Sequence, residues 1–295
     1  MNALVVVGVD GSESALDAVR WAADEARRRR AALRIVHAYE IPVGYPRGYI
    51  DEHALRGALA AQSRSWLAQA WQVAEDVEPG LAAEVVEVRA GAVPMLVKES
   101  VGADLLVLGT RGLGGFTGLL VGSTAVEVAA RAYCPVVVVR GVARGSVVVG
   151  VDGAPAGEGA IAFAFAQASA CGASLVAVHT WTDLVVETAF TGGAAAPAFA
   201  PLAQQAEELL AERLAGWQEK YPDVSVSRHV SRERAVKALL RHAERAQLVV
   251  VGNRGRGGFR GLLLGSTSRH LLQHATCPVA VIHSGDPGGA RALRP

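Results

Sequence analysis

The sequence predicts an α/β fold made of two tandem copies of one unit. Each copy is read as a doubly wound, five-stranded parallel sheet with helices on both faces. Three observations carry this. The 295 residues are about twice the size of one compact domain. Short Val-rich runs alternate with longer helical stretches. The chain also repeats itself: Val-Val-Gly-Val-Asp-Gly-Ser at 6–12 returns as Val-Val-Gly-Val-Asp-Gly-Ala at 148–154, an offset of 142.

The register of the repeat holds along the chain. His37 is answered by His179, and Cys134-Pro135-Val136 by Cys277-Pro278-Val279. Residues 104–141 share 19 identities in 38 positions with 247–284, which is too long a match in one register to be chance. The repeat removes the option of one cofactor domain joined to one substrate domain. The expected limits are 1–143 and 144–285, with a disordered tail over 286–295 and a short glycine-containing link around Gly141–Gly145.

In the first copy the strands are expected at Leu4–Val9, Leu33–Ala38, Ala83–Val88, Asp104–Leu108 and Val136–Val139. Helices are expected near 13–30, 52–77, 92–101 and 123–132, with Ser12 as the first N-cap. The strand runs are continuously apolar, which indicates burial on both faces and a parallel sheet with right-handed crossovers. The second copy follows at Val147–Val151, Leu175–His179, Val224–Val230, Leu248–Val251 and Val279–His283. Ile41–Asp51 and 183–201, rich in Gly and Pro, are expected to be mobile loops.

Composition narrows the function classes. Hydrophobic residues make up 51% and charged residues 19%, a balance that excludes an intrinsically disordered chain. A formal charge of +1 argues against a nucleic-acid or anionic-membrane coat. Cys134, Cys171 and Cys277 lack C-x-x-C spacing, so neither a disulfide framework nor a zinc site is supported. The N-terminus enters Ala3–Val7 without a basic segment, and apolar runs stop far short of a membrane span, so a cytoplasmic protein is expected.

Two features recur at strand ends. One is the aspartate after the first strand, Asp10 or Asp152. The other is a glycine loop after the fourth, Gly109-x2-Gly112-x9-Gly122-Ser123-Thr124 and Gly252-x2-Gly255-x9-Gly265-Ser266-Thr267. With strand order 3-2-1-4-5, strands one and four flank the reversal of winding, where open α/β sheets bind ligands. The glycines would let backbone N–H groups approach an anion, and Gly-Ser-Thr stands ahead of a helix whose N-terminus attracts phosphate. Arg111 and Arg254 add positive charge. Alanine at Gly109 and Gly252 is expected to block phosphate without disturbing the sheet. Neither loop is a Walker A motif, and neither first strand is followed by Gly-x-Gly-x-x-Gly.

With those motifs in both halves, the chain resembles a tandem-domain universal stress protein of the actinobacterial, ATP-binding kind, over residues 1–285. The resemblance implies a Rossmann-like fold, one ATP per domain, a homodimer, and a regulatory role in stress, dormancy or growth rather than catalysis. Carried across, it implies that Gly8, Asp10 and Ala38 hold adenosine, and that Gly109, Arg111, Gly112, Gly122, Ser123 and Thr124 hold ribose and phosphates. The second site would use Gly150, Asp152, Thr180, Gly252, Arg254, Gly255, Gly265, Ser266 and Thr267. Mg²⁺ could bridge the phosphates, although no dedicated metal cage is visible. A slow ATPase or adenylyl-transfer enzyme, and a nucleotide-free scaffold, are the alternatives. No nucleic-acid or membrane partner is expected.

The copies are not identical. Ser12 and Ser14 become Ala154 and Ala156, which removes a cap and a hydroxyl, and Gly91 becomes Arg234. Arg256 and Arg260 add charge to the second loop. Both sites are therefore expected to bind, with unequal affinity. His37, His179, Cys134 and Cys277 are read as structural, Arg27–Arg30 as a solvated helix end, and the five tryptophans as packing.

Overall fold

The computed structural model describes residues 3–40, 52–112, 121–141, 144–181, 199–255 and 263–283. The chain forms two compact units, Met1–Arg140 and Gly141–Pro295. In unit 1 the elements run β1 (Leu4–Gly8), α1 (Glu13–Arg29), β2 (Ala32–Tyr39), α2 (Glu52–Val77), β3 (Ala83–Arg89), α3 (Ala92–Glu99), β4 (Leu105–Gly109), α4 (Ser123–Arg131) and β5 (Val136–Val139). Unit 2 runs β6 (Ser146–Gly150), α5 (Glu158–Cys171), β7 (Leu175–Thr180), α6 (Phe199–Lys220), β8 (Val226–Ser231), α7 (Ala235–Ala243), β9 (Ala246–Gly252), α8 (Ser266–His274) and β10 (Val279–Ile282).

The strands of unit 1 lie in the order β3-β2-β1-β4-β5, and those of unit 2 in the order β8-β7-β6-β9-β10. Neighbours within each unit pair in parallel. The winding reverses after β3 and after β8, so right-handed crossovers place successive helix pairs on opposite faces. Accordingly α1 packs with α2 and α3 with α4, and α5 packs with α6 and α7 with α8. Val5, Val6, Val7, Leu105, Leu106 and Val107 are fully buried at the centre of unit 1, as both-face coverage requires.

Small residues let α1 sit close to the sheet. Ala15, Ala18, Ala22, Ala23 and Ala26 fill its buried face. Its N-terminus is capped by Ser12, whose Oγ accepts from the Ala15 amide at 3.2 Å. Its C-cap is Arg30 in the left-handed region at φ 52°, where the repeat in unit 2 has Gly172 at φ 60°. In unit 2, where Ala154 cannot cap, the helix is preceded by a short 3-10 turn over Pro155–Gly157 and begins only at Glu158.

One expectation is corrected. Residues 199–201 belong to α6, not to the preceding loop, because Pro201 near a helix start costs no internal hydrogen bond. The loop over Ile41–Asp51, the rest of 183–201, the diglycines Gly114-Gly115 and Gly257-Gly258, Arg256, Arg260 and the tail over 286–295 lie outside the described residues.

Candidate functional site

The first site is built at the carboxyl ends of β2, β1 and β4. Gly8 closes β1 opposite Val36, and Gly109 closes β4 opposite Val139. Two residues beyond Gly8, the Asp10 carboxylate makes a tight turn: its Oδ1 accepts from the Ser12 amide at 3.1 Å and from Ser12 Oγ at 2.7 Å. Gly11 between them sits at φ 84°, and the Trp66 indole of α2 covers it so closely that a Cβ would lie 2.3 Å from the ring. Glycine is required there on both counts.

These elements enclose a cavity of about 410 Å³. Its wall includes all nine unit 1 residues singled out from sequence: Gly8, Asp10, Ala38, Gly109, Arg111, Gly112, Gly122, Ser123 and Thr124. Thr110, Val36, Val121 and the α3 residues Ala92, Met95 and Leu96 line it as well. Nothing in the spacing of the α3 residues marks them. They join because the crossover from β3 to β4 lays α3 over the same sheet edge. The cavity is thus two-sided, apolar along α3 and β2 and rich in backbone N–H at the glycine loop.

At that polar end, Gly122 is the N-cap of α4 and makes no side-chain cap, although its own amide donates to Thr110 O at 2.7 Å. The first-turn amides of α4 therefore have no capping side chain, a ready anion site. Asp10 is the one carboxylate among the described lining residues. The described residues hold no group of three or more His, Cys, Asp or Glu able to cage a metal.

The two glycine loops seat differently on the helix that follows the first strand of each unit. In unit 1, Ser12 Oγ donates to Arg111 O at 2.9 Å, Ser14 Oγ donates to the same oxygen at 2.5 Å, and the Arg111 amide returns a bond to Ser14 Oγ at 3.2 Å. The loop is drawn in so far that a Cβ on Gly112 would stand 2.1 Å from Asp10 Oδ2. In unit 2, a Cβ on Gly255 would stand 3.6 Å from Asp152 Oδ2, ordinary contact.

The same comparison corrects the expected role of Gly109. A Cβ there would lie 2.4 Å from the main-chain oxygen of Ser14, so the glycine is needed for helix-on-strand packing before any ligand is considered. At Gly252 the nearest atom would be Arg254 O at 3.2 Å. The two alanine substitutions are not equivalent, and the first disturbs the fold.

In unit 2, Gly150, Thr180 and Gly252 end the adjacent strands β6, β7 and β9, with Asp152, Arg254 and Gly255 just beyond and Gly265 at the N-cap of α8. Asp152 Oδ1 accepts from the Ala154 amide at 2.9 Å, so the turn survives without the serine. A groove of about 640 Å³ in this unit takes in Ser266 and Thr267 but runs between α7 and α8, past Arg234, Lys237, Arg241 and His270. It does not include the other seven residues.

Beside it, Glu233 pairs with Arg241, which holds its carboxyl below the usual range. His242 meets His229 edge-on at 4.7 Å, and burial first, then the neighbouring His229 and Arg241, push its pKa down.

Most residues expected to be structural have structural partners, but Trp71, expected to pack, is 40% exposed. Each of His37 and His179 places Nδ1 2.6 Å from a main-chain oxygen, that of Val9 and of Val151. Cys134 and Cys277 are buried and Cys171 is partly buried, and none of the three forms a disulfide among the described residues. Arg27, Arg28 and Arg29 pair with Asp24, Glu25 and Glu78. Trp66 packs on His37 at 5.2 Å, and Trp217 stacks on Phe165 and Tyr221.

A doubly wound α/β unit with a glycine loop at its switch point, repeated in tandem, defines a class of two-unit α/β proteins. Within that class the chain belongs to the universal stress protein family, whose model matches residues 1–140 and 144–283. It is 39% identical over 292 residues to a universal stress protein of Mycolicibacterium smegmatis, covering 94% of this chain and 96% of that one. A universal stress protein of Mycobacterium tuberculosis is also 39% identical over 292 residues, with 94% and 95% covered. The crystal structure of a universal stress protein from Archaeoglobus fulgidus shares the fold at a TM-score of 0.69 and 19% identity, with 96% of this chain and 98% of that chain covered. Among the described residues no helix is long and apolar enough to cross a membrane.

Proposed function

We propose that the chain is an ATP-binding regulatory protein with one nucleotide site per unit, and that it holds its ligand rather than turning it over. The observation that carries this reading is the cavity of unit 1, where one apolar wall meets the uncapped N-terminus of α4. Val36, Ala38, Met95 and Leu96 suit an adenine ring, which needs a flat apolar slot and main-chain hydrogen bonds at a strand end. The first-turn amides of α4, the Ser123 and Thr124 hydroxyls and Arg111 are donors of the kind a polyphosphate needs. Asp10 is placed to meet a ribose hydroxyl, and with the phosphates it could share a Mg²⁺ ion.

Retention is favoured over hydrolysis by the chemistry of the lining. A general base must reach an attacking water, yet the described lining holds no histidine and one carboxylate, Asp10, whose Oδ1 is engaged by Ser12. The protein is read as a cytoplasmic homodimer whose bound nucleotide is the signal in stress, dormancy or growth control.

Gly122→Asp tests the site without testing the fold. A Cβ at Gly122 would lie 3.6 Å from its nearest neighbour, and aspartate is a favoured N-cap. The carboxylate would occupy the anion position and repel phosphate. Titration of nucleotide-free protein should show unit 1 binding ATP at least about tenfold more weakly in the variant, with thermal stability kept. Unchanged affinity would overturn the site.

A further inference from the structure

The two glycine loops are tied differently. In unit 2 Ser268 Oγ of α8 donates to Gly252 O at 2.6 Å, where unit 1 has Ala125, whereas in unit 1 the tie to the loop comes from the start of the helix that follows the first strand. The Arg111 main-chain oxygen of unit 1 receives both Ser12 Oγ and Ser14 Oγ, while the Arg111 amide donates to Ser14 Oγ. Ser14 therefore makes a two-way tie with a single main-chain residue, donating and accepting at once. Ser12 has one hydrogen for two acceptors, Asp10 Oδ1 at 2.7 Å and Arg111 O at 2.9 Å, and so couples the Asp10 turn to the loop.

We propose that Ser12 and Ser14 are positioning residues that latch the Thr110–Gly112 segment for an anion, and that unit 2, having lost both hydroxyls, carries the weaker, more readily exchanged site. The proposal rests on the nucleotide-binding reading above. Its physical basis is the planarity of the 111–112 peptide. A trans peptide holds its C=O and N–H antiparallel, so pinning the Arg111 oxygen toward α1 turns the Gly112 N–H away from α1. Released, the same peptide can rotate and offer its oxygen where an N–H is needed, which repels a phosphate.

Unit 2 shows what the unlatched arrangement looks like. Ala154 and Ala156 stand where Ser12 and Ser14 stand in unit 1. The helix start is a 3-10 turn, and no atom of Ala156 comes within 4 Å of the Cβ position on Gly252, a place that Ser14 crowds at 2.4 Å in unit 1. Arg254 O, the counterpart of the latched oxygen, is the nearest atom to that position, at 3.2 Å. Gly255 is correspondingly farther from its aspartate than Gly112 is, 3.6 Å against 2.1 Å by the same measure.

If losing the latch leaves the binding-competent loop populated about a tenth of the time, apparent affinity falls about tenfold. The test is calorimetric titration of ATP into nucleotide-free protein, with unit 2 silenced by Gly265→Asp to read unit 1, and unit 1 silenced by Gly122→Asp to read unit 2. Unit 1 should bind about tenfold more tightly than unit 2. Ser14→Ala should remove most of that advantage, Ser14→Thr should keep it, and Ala154→Ser with Ala156→Ser should tighten unit 2. Equal affinities in the two units, or a Ser14→Ala protein that binds ATP as the parent does, would overturn the latch.

Amide hydrogen exchange separates this from the nucleotide reading, since it needs no ligand. The Arg111 amide, bonded to Ser14, should exchange more slowly than the Arg254 amide and should lose that protection in Ser14→Ala. Slow Arg111 exchange in a protein that binds no ATP would overturn the nucleotide reading and leave the latch standing. Equal exchange at the two amides would overturn the latch whatever binds.

Discussion

His37 Nδ1 lies 2.6 Å from the main-chain oxygen of Val9, and the repeat places His179 Nδ1 at the same distance from Val151 O. A carbonyl can only accept, so each ring nitrogen carries its hydrogen there and ties the end of one strand to the turn after its neighbour. Replacing His37 with Phe leaves a buried oxygen without its donor, and urea unfolding should show a loss of about 1–3 kcal/mol. A variant that kept full stability but changed nucleotide turnover would assign the histidine to catalysis instead.

The glycine pair at the ends of β4 and β9 should separate under the same substitution. Gly109→Ala forces a methyl group against the Ser14 main chain and should lower stability by about 1–3 kcal/mol. Gly252→Ala meets only Arg254 O at 3.2 Å and should cost less than about 1 kcal/mol. Thermal unfolding of the two single variants reads the difference directly; equal losses would contradict the closer seating of α1.

Arg30 holds a left-handed C-cap at φ 52°, a conformation that costs a side chain about 1–2 kcal/mol. Its counterpart Gly172 adopts nearly the same angle, φ 60°, without that cost. Arg30→Gly should therefore stabilise the protein by about 0.5–1 kcal/mol after the extra chain entropy of glycine is subtracted. The denaturation midpoint should rise with an unchanged slope; a lower midpoint would show that the arginine side chain contributes more than its backbone costs.

His242 sets a pH dependence in unit 2. Burial, His229 and Arg241 hold its pKa below the ordinary 6.5, while Glu233 pulls weakly the other way. The unfolded chain then binds the proton more readily than the folded one, so stability is full above pH 6.5 and declines as pH falls below it toward the lowered value. The midpoint in urea should drop between pH 7.5 and 5.5, and His242→Phe should reduce that drop. An identical pH profile in the variant would remove His242 from the account.

Much of this architecture is legible in the sequence because duplication writes it twice. Continuous Val runs mark doubly buried strands, and the matching glycine spacings point Asp10, Gly109 and Gly122 to one cavity. The lining from Ala92, Met95 and Leu96 is not legible, since helix α3 reaches the site through the turn of the chain and not through a motif. The role of Gly109 is misread for a similar reason: a missing side chain looks the same whether a ligand or the Ser14 main chain needs the room. Ser14 itself stands out only when Ala156 is set beside it, and its bond to Arg111 spans 97 positions of sequence.

The central claim is that these crevices hold ATP. The most direct measurement is to purify the protein, denature it, and identify what is released by chromatography and mass. The account predicts ATP, up to one per unit, with less released from Gly122→Asp. Protein that releases no nucleotide and shows no saturable ATP binding when titrated would contradict it.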